Sequence, residues 1–155
     1  MLNNGKAQSE ILAHLALAAE KAAGVNSAVS ILVLDDKGLL RNGASPSLPA
    51  DYLKAIDGLK PDENIGTCAA AAATGEIVVT PSFYADNKWA ELRHLPLSLG
   101  FVGAWSMPIK NEGVVLGTFG TYFRKQKKPS PEEISGTRML AGAAAKVLAF
   151  QGVQP

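Results

Sequence analysis

Apolar residues recur with a helical period at both ends of the chain. Near the start they repeat every three or four positions and predict a helix over residues 6–23 that ends at Gly24. The positions are Ile11, Leu12, Leu15, Ala18, Ala19 and Ala22. Near the end, the segment 130–133 (Ser-Pro-Glu-Glu) is typical of a capped helix start, and the pattern that follows predicts a helix to Phe150. Its apolar side is formed by Met139, Leu140, Ala143, Val147 and Leu148.

The apolar runs between these helices predict strands. Two pairs are joined by short turns at 35–38 and 111–113, each with a Gly that can adopt positive φ. The predicted strands are 28–34, 39–44, 76–80, 101–109 and 114–124. Because tight turns connect antiparallel neighbours, these strands predict an antiparallel sheet.

Three helices are predicted between the strands. Pro49 starts a helix over 50–56, and Thr67 can cap a short Ala-rich helix that Gly75 ends. Asn87 can cap a helix through Leu99 that Pro96 bends or breaks. With these helices on one face of the sheet and the terminal helices on the other, the predicted fold class is α+β.

Composition narrows the choice of partner. A chain of 155 residues predicts one domain, and its 47% hydrophobic and 19% charged residues describe an ordinary globule. The net charge of +1 supplies no basic track for a nucleic acid and no attraction to an anionic membrane. The basic run 124–128 is bounded by Pro, so we interpret it as a solvated loop rather than a binding patch.

The chain has one cysteine, Cys68. One cysteine excludes an internal disulfide and a multi-cysteine zinc site within the chain, and it fits a reducing compartment. No leader opens the sequence, and no apolar run approaches the roughly 18 to 20 residues that span a bilayer. We therefore expect a cytoplasmic protein without membrane insertion.

Six short motifs in order resemble those of a bacterial GAF domain, a PAS-related fold. They are Ile65-Gly66-Thr67-Cys68, Gly75-Glu76-Ile77-Val78-Val79, Asp86-Asn87-Lys88-Trp89, Gly100-Phe101, Ala104-Trp105-Ser106-Met107-Pro108-Ile109 and Val115-Leu116-Gly117-Thr118-Phe119. The resemblance covers about residues 8–150 of a single domain spanning 1–155. It implies a sensory module in signal transduction that binds a small molecule between the sheet and the middle helices and pairs through its terminal helices.

The resemblance leaves two arrangements open. The chain is either part of a larger sensor, such as a histidine kinase of a two-component system, or a stand-alone regulator. The alternative function is a ligand-free dimerisation and relay module. Small residues on extra faces of the terminal helices favour a homodimer through those helices. They are Ala16, Ala18, Ala19 and Ala22 in the first helix, and Gly142 and Ala143 to Ala145 in the last.

The resemblance also suggests a pocket. Its candidate ligand-binding residues are Thr67, Cys68, Tyr84, Trp89, Phe101, Trp105 and Thr118, and Phe83 and Tyr122 could complete it. The scarcity of polar atoms predicts an apolar or aromatic ligand, or a small anion at the N–H groups of residues 66–69. Ala69 stands where the related branch has Gly, which makes the pocket smaller, and a collapsed, empty pocket is the alternative. The sequence does not identify a cofactor.

No catalytic or metal-binding constellation is visible in the sequence, and we predict that the protein is not an enzyme. Near a helix start Cys68 could be reactive, but a buried cysteine is more often a small apolar residue.

Specialised branches of the GAF family fit the sequence poorly. The free methionine sulfoxide reductases use several cysteines, and bilin-binding members have a His beside the cysteine, whereas this chain has one cysteine without an adjacent His. His94 has no second ligand spaced to bind haem or metal. The Asn-Lys-Phe-Asp pattern of cyclic-nucleotide binding members is missing, the nearest segment being 86–89.

Overall fold

The structure is a computed structural model that describes residues 4–24 and 26–153, with the side chains of 4–6 and 151–153 left outside the description. The helices are α1 (Asn4–Ala23), α2 (Ala50–Ile56), α3 (Thr67–Thr74), α4 (His94–Ser98) and α5 (Pro131–Val153), with a short 3₁₀ turn at Asn87–Trp89. The strands are β1 (Ser27–Leu34), β2 (Leu40–Ala44), β3 (Val78–Thr80), β4 (Gly103–Asn111) and β5 (Val114–Phe123).

The strands form one antiparallel sheet in the order β2-β1-β5-β4-β3. Both predicted hairpins are confirmed, and Glu112 and Gly113 turn the second one with φ of 52° and 82°. Because side chains alternate along each strand, the sheet has two distinct apolar faces. One face packs against α1 and α5, and the other against α2, α3 and the loop around Trp89. The predicted α+β fold with helices on both faces is confirmed.

The terminal helices pack side by side through small residues. Leu12, Ala16 and Ala19 form the buried face of α1, at positions i, i+4 and i+7. The buried face of α5 is formed by Thr137, Ala141, Ala144, Ala145 and Leu148. Several residues predicted to point inward are in fact exposed: Ile11, Ala18, Ala22 and Met139. The sequence misleads here because Ala occupies several faces of each helix, so the apolar period alone does not select one face.

The start of α5 confirms the predicted capping box. The Glu133 N–H donates to Ser130 Oγ at 3.1 Å, and the Ser130 N–H donates to Glu133 Oε1 at 3.1 Å. Two backbone N–H groups that the helix leaves unpaired are thereby satisfied.

The predicted helix from Asn87 to Leu99 is wrong. Asp86, not Asn87, is the cap, because its carboxylate accepts from the Lys88 N–H at 2.9 Å. The 3₁₀ turn ends at Trp89, and α4 starts only at His94. Pro96 lies in the first turn of α4, where its missing N–H is not needed, and its ring prevents helix from continuing backward through Leu92.

Two glycines permit the closest backbone approaches in the sheet. A Cβ on Gly117 would lie 2.2 Å from the Leu32 carbonyl oxygen on β1, and one on Gly103 would lie 2.5 Å from the carbonyl oxygens of Thr80 and Pro81. Both neighbours are backbone and cannot rotate away, so the pairing of β5 with β1 and of β4 with β3 depends on these residues.

We predict that Gly117→Ala lowers the free energy of unfolding by about 3 kcal/mol, because the methyl group overlaps the backbone of β1. The matched control is Gly136→Ala on α5, where a Cβ meets no atom within 4 Å. That variant is expected to be about 1 kcal/mol more stable, since Ala favours helix over Gly. Urea denaturation measures both changes, and a Gly117→Ala protein as stable as wild type would contradict the packing described for β1 and β5.

Candidate functional site

The candidate site lies where α3 crosses β4 and β5. Gly66 turns the chain into α3 with φ of 69°, and Gly75 ends the helix in the left-handed conformation, as predicted. Thr67 does not cap the helix as expected, because Gly66 is the N-cap and no side chain caps this end. The Gly66 N–H instead donates to the Lys88 carbonyl at 2.8 Å, which ties the start of α3 to the 3₁₀ turn.

A continuous chain of hydrogen bonds runs through the site. Trp89 Nε1 donates to Thr67 Oγ1 at 2.8 Å, the hydroxyls of Thr67 and Thr80 lie 2.9 Å apart, and Thr80 Oγ1 lies 3.2 Å from Asp86 Oδ2. An ionised carboxylate only accepts, so Thr80 donates to Asp86 and Thr67 donates to Thr80. We call this set the indole–carboxylate chain. Each of its side-chain donors is already used, so a ligand could be bound there only by breaking it.

The electrostatics of Asp86 support this direction of donation. Burial raises the pKa of Asp86, but hydrogen bonds from the Lys88 ammonium and N–H, and from Thr80, outweigh burial and lower the pKa below its usual value. Lys88 Nζ lies 2.8 Å from Asp86 Oδ2. Asp86 is therefore ionised at neutral pH. It also lines an open cleft of about 580 Å³ together with Asn64, Ser82 and Lys88.

Cys68 lies under α3 against the sheet. Ser106 Oγ donates to Cys68 Sγ at 3.4 Å, and a Cβ on Gly120 would lie 2.8 Å from that sulfur. The residue keeps some exposed surface, but protein atoms surround the sulfur closely, so burial raises the pKa of the Cys68 thiol more than the hydrogen bond from Ser106 lowers it. The thiol is neutral at physiological pH, which favours the small apolar interpretation of Cys68 over the reactive one.

Aromatic rings fill the rest of this face. Phe83 lies 4.4 Å from Trp89 and Phe101 lies 5.5 Å from Tyr122, measured between ring centroids. The hydroxyls of Tyr52 and Tyr122 lie 2.6 Å apart. Burial raises the pKa of Tyr52 and of Tyr122, so both are neutral. These side chains are all buried and pack together on the middle-helix face of the sheet, where the resemblance implies a pocket.

The structure brings together five of the seven predicted site residues: Thr67, Cys68, Trp89, Phe101 and Thr118. Tyr84 is outside this group because its side chain is 67% exposed. Trp105 is also outside it, because its ring packs with α1 and α5 on the opposite face of the sheet. His94, considered for haem or metal, is exposed, and the described residues contain no group of three His, Cys, Asp or Glu side chains placed to hold a metal ion.

A shift in register explains the position of Trp105. Near the turn Lys110 pairs with Val115, but Ile109 pairs with Gly117, so Leu116 is an extra residue in β5. A regular hairpin would place Trp105 on the same face as Thr118, whereas the extra residue moves Trp105 to the other face. Trp105 pairs with Thr121 instead.

The sequence analysis missed Thr80 and Asp86 as parts of the site. Asp86 belongs to a motif that pointed to the GAF family, and Thr80 ends a predicted strand. Asp is preferred at the N-cap as strongly as Asn, so Asp86, one residue before Asn87, is an equally good cap candidate from the sequence. The role of Thr80 depends on a contact across 13 residues and has no local signal.

Comparison with known proteins identifies the family. The family described as GAF domain matches residues 6–149, and the chain belongs to it. The methyl sulfide methyltransferase-associated sensor of Methanosarcina acetivorans is 36% identical over 146 residues, which are 91% of this chain and 14% of that sensor. The chain therefore spans 14% of the length of this relative.

Two solved structures show the same fold. A domain of a two-component sensor histidine kinase protein from Sinorhizobium meliloti 1021 has a TM-score of 0.77 and 22% identity, covering 93% of this chain and 92% of that chain. The GAF domain region of a membrane protein from Geobacter sulfurreducens PCA has a TM-score of 0.80 and 17% identity, covering 96% and 97%. Among the described residues of the present chain, none of the helices is both long enough and apolar enough to cross a membrane.

Replacing Thr by Val at two buried positions tests the indole–carboxylate chain. Thr67→Val leaves the Trp89 N–H without its acceptor, and we expect a loss of about 2 kcal/mol in the free energy of unfolding. Thr118 is equally buried, but its hydroxyl has no hydrogen-bond partner within the described residues. Thr118→Val is therefore the matched control and should leave stability unchanged or slightly higher. Chemical denaturation measures both variants, and equal losses of unfolding free energy would contradict the indole–carboxylate chain.

A second prediction concerns the stability of the fold at acidic pH. Because the folded pKa of Asp86 is depressed, its stabilising contribution is complete above the unfolded value of about 3.9 and is lost as the pH falls through the folded value. Asp86→Asn should lower stability by about 1 kcal/mol at pH 7, and the difference from wild type should shrink below about pH 4. The exposed Asp36→Asn serves as control, with less than about 0.5 kcal/mol expected. A difference in unfolding free energy between Asp86→Asn and wild type that stays constant from pH 7 down into the acid range would contradict this prediction.

Proposed function

We propose that this chain is a sensory and regulatory domain in signal transduction that responds to a small molecule and transmits the response through its terminal helices. Membership of the GAF family supports a regulatory role, as does the relative whose name describes a sensor. In this proposal the domain is a cytoplasmic unit of a larger sensor, such as a histidine kinase of a two-component system, or a stand-alone regulator.

The outer face of α5 is the observation that supports transmission through the terminal helices. It forms a stripe at positions i, i+3, i+4, i+7 and i+11: Met139, Gly142, Ala143, Lys146 and Phe150. Met139 is 76% exposed and Phe150 is 66% exposed, although the opposite face of the helix is already buried against the sheet. Large apolar side chains spaced along one helical stripe are typical of a helix that packs against another helix.

A second copy of this chain is the partner that fits the stripe. Two α5 helices related by a two-fold axis would place the same small residues opposite each other, and Gly142 and Ala143 would let the helices approach closely. On α1, Ile11 is exposed and would extend the contact. A dimer built this way connects directly to segments that precede α1 or follow α5 in a longer protein.

We further propose that the domain is not catalytic. The support is the state of Cys68, whose thiol is kept neutral by burial and is therefore a poor nucleophile. The second candidate function, a ligand-free dimerisation and relay module, is favoured by the buried aromatic cluster on the middle-helix face of the sheet, where Phe83, Trp89, Phe101 and Tyr122 pack together. Native mass spectrometry of the purified protein separates the two functions, because a sensor retains or acquires a small molecule and a pure relay does not.

Gly142→Arg is the direct test of the dimer. The substitution adds a long charged side chain at a position where a Cβ meets no atom of its own chain within 4 Å, so the monomer should fold normally. We expect the mass measured by light scattering to fall from two chains to one. Ala55→Arg, on the exposed side of α2 across the sheet, is the matched control and should stay dimeric. A wild-type monomer, or a Gly142→Arg dimer, would rule out this interface.

A further inference from the structure

A cavity of about 410 Å³ lies on the terminal-helix side of the sheet. It is lined by the last turns of α1, the first turns of α5, Trp105 near the start of β4 and Thr121 near the end of β5, and it is partly open to solvent. Small residues leave this space open, among them Ala19, Ala22, Ala23 and Gly136. The cavity is thus separated by the whole sheet from Cys68, Thr118 and the indole–carboxylate chain.

Trp105 lines this cavity and has an unsatisfied polar group. The residue is 1% exposed, and its Nε1–H has no hydrogen-bond partner within the described residues. Leaving a buried N–H donor unpaired destabilises a protein, and such donors are rare. Trp89, the other tryptophan of the chain, donates its indole N–H to Thr67. The two indoles therefore differ: the Trp89 N–H has a protein acceptor, and the Trp105 N–H has none among the described residues.

The charged groups around the cavity are mutually paired or acidic. Lys127 Nζ lies 3.2 Å from Glu133 Oε2, and Glu133 also belongs to the capping box of α5. The remaining charged lining residue is Glu132. With its one cation already engaged, the described lining does not favour an anion. Leu140 and the Trp105 ring provide apolar walls.

We propose that this cavity binds a neutral small molecule with an apolar body and a carbonyl-type oxygen that accepts from Trp105 Nε1. A molecule there would contact α1 and α5 at once, so its binding would change the packing of the two helices that carry the proposed dimer. The inference deepens the proposed sensory function by giving it a site on the helix side of the sheet. The regulatory role of this site rests on the proposed function, but ligand binding to the site is measured independently of dimerisation.

The indole N–H signals of ¹⁵N-labelled protein provide the test, because the chain has two tryptophans and hence two such signals. Acetophenone is the probe, and ethylbenzene, which has the ring but no oxygen, is its control. Acetophenone should move the Trp105 signal downfield in a saturable way and leave the Trp89 signal in place. Ethylbenzene should not produce the downfield shift. Trp105→Phe assigns the signal and should weaken acetophenone binding about five-fold while leaving the fold intact.

Two neighbouring residues of α5 supply a matched pair of variants. Gly136 lines the cavity and a Cβ there meets no atom within 4 Å, whereas Ser135 is exposed and lies outside both the cavity lining and the α5 stripe. Gly136→Leu should abolish the saturable shift by filling the cavity, whereas Ser135→Leu should retain it. No shift of the Trp105 signal in wild type, or an equal shift in Gly136→Leu, would overturn the site and indicate a cavity that holds only water. Failure of the proposed function would appear separately, as a wild-type monomer in light scattering.

Discussion

The alternation of side chains along β4 and β5 is the constraint on which the rest of the structure depends. Consecutive residues of a strand face opposite sides, so Trp105 faces the terminal helices while Ser106 faces Cys68. The extra residue Leu116 shifts the register of the β4–β5 hairpin by one residue, and this shift determines which side chains of β5 share a face with Trp105 and which share a face with Ser106. Close backbone contact at Gly117 then holds β5 against β1. This pairing makes the two faces of the sheet chemically different.

The face under the middle helices is closed, meaning that packed side chains fill it. The face under the terminal helices is open, meaning that it retains a cavity. On the closed face the indole–carboxylate chain satisfies its own donors and ends on an ionised carboxylate, and aromatic rings occupy the remaining space. On the open face, Ala and Gly residues leave a cavity lined in part by Trp105, whose indole N–H has no partner among the described residues. The same small residues that let α1 and α5 pack closely therefore also create room next to Trp105. A change in the volume of this cavity therefore changes the packing of α1 and α5, the two helices that transmit the signal in the proposed function.

The sequence predicts most of the fold because its local signals are strong. The hairpin turns, the capping box of Ser130 and Glu133 and the stop at Gly75 each depend on a few neighbouring residues. The site is predicted less well because it depends on distant contacts. Trp105 was placed with Thr118, and a one-residue register shift separates them. Thr67 was expected to cap α3, but its hydroxyl is held by Thr80 and Trp89, which no local pattern reveals.

The claim that one face of the sheet is closed and the other open can be tested most directly with a crystal structure of the wild-type protein under xenon pressure. Xenon enters apolar cavities and reports empty space without requiring a polar group. The account predicts xenon between α1, α5 and Trp105, and none between α3 and the sheet. Xenon beside Cys68 and Thr118, with the space at Trp105 unoccupied, would contradict it.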